Sequence, residues 1–128
     1  MFGLTFFIVF RMGVLRAAAV KSGKIDPKFF RLYQEYEEPD FLRAYSRHVV
    51  NLHEAPVIFY AISIIAYVTD SAGSLLVALA WGYVALRFAH SYVHLTTNRV
   101  LLRFKLFALS YLILVIFCVL VFFGFWSQ

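Results

Sequence analysis

An uncharged run near the C-terminal end limits most strongly how this chain can fold. From Leu106 to Trp126 the sequence carries 21 consecutive residues without a formal charge. As an α-helix this run is long enough to cross a hydrocarbon core of ~30 Å at ~1.5 Å per residue. Hydrophobic residues make up 62% of the chain and charged residues 15%, too few polar groups to cover the apolar surface of a soluble domain. The run is therefore predicted to be a transmembrane helix.

Three further apolar segments precede this helix, at residues 2–20, 55–68 and 75–95. The middle one reaches full length only if its helix begins near Asp40, which follows Pro39 and can cap a helix N-terminus. We therefore predict an all-α integral membrane protein, a four-helix transmembrane bundle in a single domain over residues 1–128. The predicted helices cover residues 2–20, 40–68, 74–95 and 100–126.

The basic residues predict the topology. All twelve Lys and Arg lie between Arg11 and Arg47 or between Arg87 and Lys105, while both chain ends and the connection 69–74 have none. The positive-inside rule places both basic connections on the cytoplasmic side, which in a bacterium means the inner membrane. The net charge of +5 then reflects orientation and attraction to anionic lipid headgroups, so a nucleic-acid partner is not predicted.

Polar residues recur at helical spacing inside the second and third predicted helices, and one opens the fourth. They are Arg43, Arg47, Asn51 and Glu54; Arg87, His90 and His94; and Arg103. Because charges at membrane depth cost several kcal/mol unless they meet a partner or a wet cavity, these faces should point at one another or at a neighbour, never at lipid. Together they leave an excess of positive charge suited to an anionic ligand. The alternative is structural: Arg87 pairs with Glu54, and His90 only packs.

A metal site is not predicted. His90 and His94 stand four residues apart and His53 adjoins Glu54, but Val57 occupies the position where the zinc pattern H-E-x-x-H needs its second histidine. Histidine-box di-iron enzymes of membranes use more histidines than the four in this chain.

Three features occur together in this short chain with four predicted membrane helices. They are Arg47, Asn51 and Glu54 in the pattern R-x-x-x-N-x-x-E followed by Pro56, the stretch "LRFAHSYVH" at residues 86–94, and Arg103 opening the last helix. In these features the chain resembles the membrane-associated proteins in eicosanoid and glutathione metabolism, the MAPEG family. That family includes microsomal glutathione transferases, leukotriene C synthase and microsomal prostaglandin E synthase. The resemblance extends from about Gly13 onward.

The resemblance implies a homotrimer of four-helix bundles with glutathione as co-substrate. Glutathione would lie in a cleft between neighbouring subunits near the cytoplasmic face, and a lipophilic electrophile would reach it from the bilayer. The implied activity is that of a glutathione-dependent transferase or peroxidase.

The resemblance also implies roles for individual residues. Arg16 resembles the arginine that meets the glycyl end of glutathione, and the second-helix motif resembles the residues that hold the peptide. His90 aligns with a ligand-contacting histidine, and His94 stands where other members carry tyrosine. Arg103 falls where the family has the arginine proposed to stabilise the thiolate. The predicted site is thus Arg103 as the catalytic residue, with Arg16, Arg47, Asn51, Glu54, Arg87, His90 and His94 as glutathione-binding residues.

Two departures from the family pattern keep a rival interpretation open. Val50 stands where several members have an arginine, and Phe107 stands where they have a tyrosine one turn after the last helix's arginine. Unless His94, Tyr92 or Tyr111 supplies the missing donor, thiol activation is weak. The rival is a non-catalytic scaffold of the same fold that binds a lipid or another ligand.

A small anion channel is a third interpretation, from another class of protein. It requires a continuous polar path across the membrane. The distal parts of the helices, residues 59–65 and 113–123, carry no charge, which argues against it.

Overall fold

The computed structural model describes residues 1–32 and 38–126, and these residues form helices and no strand. The helices are α1 (Phe2–Lys21), α2 (Phe29–Leu32), α3 (Asp40–Val68), α4 (Ser74–Leu95) and α5 (Val100–Trp126). Four of them, all but the single turn α2, are long and apolar enough to cross a membrane. The all-helical fold with four candidate membrane spans is therefore confirmed, and the ends of the long helices lie within one residue of the predicted positions.

The start of α3 differs from the prediction in one detail. The carbonyl of Pro39 accepts hydrogen bonds from the backbone amides of Leu42 and Arg43, each at 2.9 Å. Asp40 is therefore the first helical residue and not the cap. Its carboxylate lies in the first turn, where the positive end of the helix dipole favours an anion. With 29 residues α3 is about 44 Å long, so it exceeds a ~30 Å hydrocarbon core and has at least one end outside it.

The chain divides into two compact units, Met1–Asn51 and Leu52–Gln128. In the first unit, Gly23 adopts a φ of +69° just after α1, a conformation that a residue without Cβ adopts freely. The chain turns at Gly23, and the segment that follows packs back against the end of α1 in a shared apolar core. That core consists of buried Ala19, Ile25, Phe29 and Leu42, with partly buried Leu15 and Phe30 packed against it.

In the second unit, α4 packs along α5. The ring of Phe59 stacks on Tyr83 at a centroid distance of 4.6 Å and contacts Phe117 at 5.8 Å, so aromatic packing joins the distal part of α3 to both helices. Large apolar side chains on the opposite faces are exposed, including Trp81 at 70% and Phe104 at 63%. A surface of this kind is suited to lipid, in which apolar groups need no cover.

Candidate functional site: a caged arginine and two charged helix faces

Arg87, on the inner face of α4, is enclosed by aromatic rings. Its side chain is 1% exposed, and its Nε donates to the hydroxyl of Tyr83 one turn earlier at 3.2 Å. The guanidinium carbon lies 5.4 Å from the ring centroids of Tyr83 and Phe107 and 5.6 Å from that of Tyr111. The four-residue spacing puts Tyr83 beside Arg87, and α5 supplies the other two rings. These π faces attract the cation and offset part of its desolvation cost.

The aromatic cage leaves part of the guanidinium without an acceptor. Among the described residues, Nη2 of Arg87 has no hydrogen-bond partner, and no carboxylate forms an ion pair with this side chain. The Glu54–Arg87 pair considered as a structural alternative is absent, because Glu54 is exposed. Arg87 is therefore a buried cation with hydrogen-bonding capacity to spare, at the part of α4 where the sequence predicted a ligand contact.

We expect Tyr83→Phe to lower stability by about 1–3 kcal/mol, because it leaves the buried Nε of Arg87 without its acceptor. Phenylalanine retains the ring that stacks on Phe59 and faces the guanidinium, so the substitution removes the hydroxyl alone. Thermal unfolding in detergent is the measurement. Arg87→Met should by itself be neutral or stabilising, since it leaves no carboxylate unpaired.

In the Arg87→Met background, Tyr83→Phe should cost almost nothing, because no guanidinium then needs the hydroxyl. An equal loss of stability in both backgrounds would show that the hydroxyl acts on something other than Arg87.

His90 joins the end of α4 to the beginning of α5. Its Nδ1 lies 3.1 Å from the carbonyl oxygen of Arg103, so a proton on that nitrogen donates to the backbone of α5. The ring also contacts His94 edge to face at 5.6 Å and Phe107 at 5.8 Å. Both histidines are buried. Three predicted site residues of α4, Arg87, His90 and His94, thus occur in one cluster against the first turns of α5.

The side chain of Arg103 is held by the turn between α4 and α5. Its Nη1 donates to the Oδ1 of Asn98 at 2.8 Å, and the side chain is partly exposed. Asn98 has a φ of +44°, and its backbone N–H donates to the carbonyl of Val93 at 2.8 Å, which closes the end of α4. One fork of the guanidinium is thereby fixed in position. Arginine has five N–H donors, so others remain for a ligand.

The predicted peptide-holding residues of α3 are the least enclosed of the set. Arg47 and Glu54 are exposed, and Asn51 is half-buried and donates from Nδ2 to the carbonyl of Arg47 at 3.3 Å. Neither Arg47 nor Glu54 forms an ion pair within the part of the chain that the structure describes. Two opposite charges seven residues apart on an apolar helix are thus presented outward from this single chain.

Arg16, in α1, contacts groups of the first unit. Its Nη2 donates to the Ser46 hydroxyl at 3.2 Å and lies 3.9 Å from Oε1 of Glu38, and its guanidinium carbon is 5.3 Å from the ring centroid of Phe30. In this structure the carboxylate near Arg16 is therefore that of Glu38, a residue of the protein itself and not of a ligand.

Sequence reasoning missed five residues that shape these sites: Phe30, Glu38, Ser46, Tyr83 and Asn98. The hydroxyl of Tyr83 could have been found, because it precedes Arg87 by one helical turn. The partners of Arg16 could not, because they depend on the path of the connection between α1 and α3, which has no periodicity to read. Ser46 shares its helix with the motif of α3 but lies outside its spacing.

Four apolar helices, with charged residues gathered on a few faces, define the class as a multi-pass helical membrane protein. The family model described as the MAPEG family matches residues 1–123, essentially the whole chain. The chain therefore belongs to the MAPEG family, which includes glutathione transferases and peroxidases. Comparisons with curated proteins and with solved structures found no significant match.

Proposed function

We propose that this protein is a glutathione-dependent transferase or peroxidase that acts on a lipophilic electrophile. We further propose that it works as a homotrimer, with glutathione bound between neighbouring subunits near the cytoplasmic face. Family membership supports the class of activity. The observation that carries the proposal is the pair of exposed, opposite charges Arg47 and Glu54 on an apolar helix, neither of which has an ion-pair partner among the described residues.

These two charges fit glutathione. Charged side chains at membrane depth are costly unless they meet a partner, so a neighbouring subunit or a ligand must supply one. Glutathione carries two carboxylates and one ammonium group, which require more than one cation and at least one anion. The fork of Arg47 suits a carboxylate, Glu54 is the natural partner of the ammonium group, and the half-buried Asn51 can hydrogen-bond the peptide.

The cluster of Arg87, His90 and His94 on α4 supports the same ligand. The buried guanidinium of Arg87 has an unpartnered Nη2 among the described residues, so this nitrogen can donate to a second anionic or carbonyl oxygen. His90 and His94 complete the set of side chains assigned to glutathione. Both are buried, and His90 is also held by the carbonyl of Arg103 in α5, which limits the entropy lost on binding.

Arg103 carries the proposed chemistry. A thiol with a pKa near 8.5 is mostly protonated at neutral pH, and an adjacent guanidinium favours the nucleophilic thiolate. The bond to Asn98 holds the Arg103 side chain in place before the ligand arrives, which is how a preorganised charge stabilises a developing anion. Arg103 acts electrostatically, and no side chain becomes covalently attached to the electrophile.

One observation favours the rival function, a non-catalytic scaffold that binds lipid or another ligand. The ring of Phe107 packs against His90 at 5.8 Å and Tyr111 at 4.8 Å, and it brings no hydroxyl to the turn after Arg103. Phenylalanine cannot donate to sulfur. If Arg103 alone does not activate the thiol, binding without turnover remains.

Calorimetric titration of the detergent-solubilised protein with glutathione tests the proposal. We expect saturable binding at millimolar concentration or below, and none with free cysteine, which has the thiol but not the tripeptide framework. Silence with glutathione at millimolar concentrations would overturn the proposal and leave the scaffold as the function of this fold.

A further inference from the structure

The guanidinium of Arg16 is in contact with an internal carboxylate. Glu38 lies at the end of the connection that leads into α3, and its Oε1 is 3.9 Å from Nη2 of Arg16. The Ser46 hydroxyl connects the two groups, accepting from Arg16 at 3.2 Å and donating to Glu38 at 2.8 Å. The side chains of Arg16 and Glu38 are 25% and 14% exposed, so water screens their attraction only in part.

Several contacts hold Glu38 in this place. Nη2 of Arg43 donates to the backbone carbonyl of Glu38 at 2.9 Å, which fixes the main chain beside α3. The aromatic face of Phe30 lies against the guanidinium of Arg16. The N···O distance between Nη2 of Arg16 and Oε1 of Glu38 is nonetheless 3.9 Å, longer than a hydrogen bond. An incoming carboxylate that binds the guanidinium fork with both oxygens would make the stronger interaction.

We propose that Glu38 is an internal competitor for the carboxylate that Arg16 binds, and that it thereby sets the affinity for glutathione. The inference rests on the proposed function, extended by the role that the family resemblance implies for Arg16, that of receiving the glycyl carboxylate. Binding requires Glu38 to give up its contact with Arg16, because two carboxylates on one guanidinium repel each other. Part of the ligand's binding energy is spent on that exchange. The carboxylate of Glu38 thus selects for ligands whose own carboxylate can replace it.

Glu38→Gln is the direct test. Glutamine retains an acceptor for Ser46 and removes the charge that occupies Arg16. We expect glutathione to bind about tenfold more tightly, a change of about 1.4 kcal/mol, in calorimetric titration of the full-length protein. Ser46→Ala should act in the same direction but less strongly, because it frees the carboxylate from the hydroxyl without removing it.

Asp40→Asn is the matched control. Asp40 lies two residues after Glu38, at the start of α3, and pairs with Arg43 at 3.6 Å, and its side chain is 96% exposed. The substitution changes the net charge by the same amount without touching Arg16. Its affinity for glutathione should stay within about twofold of the wild-type value.

Glutathione esterified at its glycine carboxyl separates competition from a general effect on folding. The ester lacks the anion that Glu38 would oppose, so Glu38→Gln should leave its affinity unchanged. Equal tightening for glutathione and for the ester would overturn the inference. Unchanged or weaker glutathione binding by Glu38→Gln would also overturn it, while binding by the wild type would leave the proposed function standing.

If neither the wild type nor any variant binds glutathione, the proposed function fails and the inference fails with it. Should Glu38→Gln not fold, as judged by its melting curve, Ser46→Ala carries the test. An affinity of Ser46→Ala equal to or below that of the wild type would then refute the competition.

Discussion

Replacing Arg103 with leucine is expected to abolish the ultraviolet thiolate absorbance that glutathione acquires on binding, and to lower turnover of chlorodinitrobenzene by about 10²–10³-fold. The guanidinium is the only group that we assign to the sulfur, so its loss returns the thiol to its solution pKa and leaves it mostly protonated. Affinity for glutathione should fall much less, because the residues proposed to hold the peptide, Arg16, Arg47 and Glu54, are unchanged. Absorbance, turnover and calorimetry are measured on the same preparation.

Arg99→Leu is the control for this substitution. Arg99 is exposed and lies just before α5, one turn from Arg103. Its replacement by leucine removes the same charge. Thiolate absorbance and turnover should be retained in that variant. If the wild type shows no thiolate, and Arg103→Leu changes neither the spectrum nor the rate, the transferase proposal falls and the scaffold replaces it.

Phe107→Tyr tests the rival from the other direction. It adds a hydroxyl one turn after Arg103, at the position where the resemblance to the family implies a tyrosine, and it should raise turnover if thiol activation is what this chain lacks. The added oxygen enters a cluster of rings that includes His90 and Tyr111, so the melting temperature should be recorded beside the rate.

The second large effect is expected for Glu54→Gln. Glutamine preserves size and some hydrogen bonding but removes the proposed partner of the ammonium group, so glutathione should bind at least about tenfold more weakly. Because Glu54 forms no ion pair among the described residues of this chain, its loss should leave the melting temperature and the assembly unchanged. Calorimetry, thermal unfolding and native mass spectrometry, in which we expect three copies of the chain, measure the three quantities.

A structural role for Glu54 predicts the opposite pattern. If Glu54 pairs with an arginine of a neighbouring subunit, the substitution leaves a buried cation unpaired, at a cost of about 3–5 kcal/mol, and the oligomer should dissociate or melt earlier. Asp70→Asn is the control. Asp70 is exposed in the connection between α3 and α4 and has a φ of +51°, a conformation that asparagine tolerates. This variant should change neither binding nor assembly.

The membrane helices could be predicted from sequence because residues close to their ends indicate where each helix begins. Pro39 precedes α3, Gly73 precedes α4, and the charged residues near positions 99–105 mark the start of α5. Apolar runs of the right length fix the rest, since few other folds can bury them. The single turn α2 was not predicted, because four residues give no periodic signal.

The partners inside the candidate site could be predicted only in part. Helical spacing placed Arg87, His90 and His94 on one face, and the structure has them in one cluster. It did not reveal that Phe107 and Tyr111 enclose Arg87, because that depends on the rotation of α5 about its own axis, which an almost uniformly apolar helix does not specify. Sequence also does not specify the rotation of α3, and so it leaves open a pairing of Arg87 with Glu54 that the structure lacks.

Asn98 shows how narrowly one turn can restrict the sequences compatible with activity. A φ of +44° favours glycine, asparagine or aspartate, and the bond to Arg103 requires a side-chain oxygen, which glycine lacks. Aspartate satisfies both conditions but would place a negative charge beside Arg103, the cation that we propose to stabilise the thiolate. Asparagine is the residue that meets all three demands. Random mutagenesis with selection for turnover should therefore recover position 98 almost unvaried, although its side chain lies exposed in a loop.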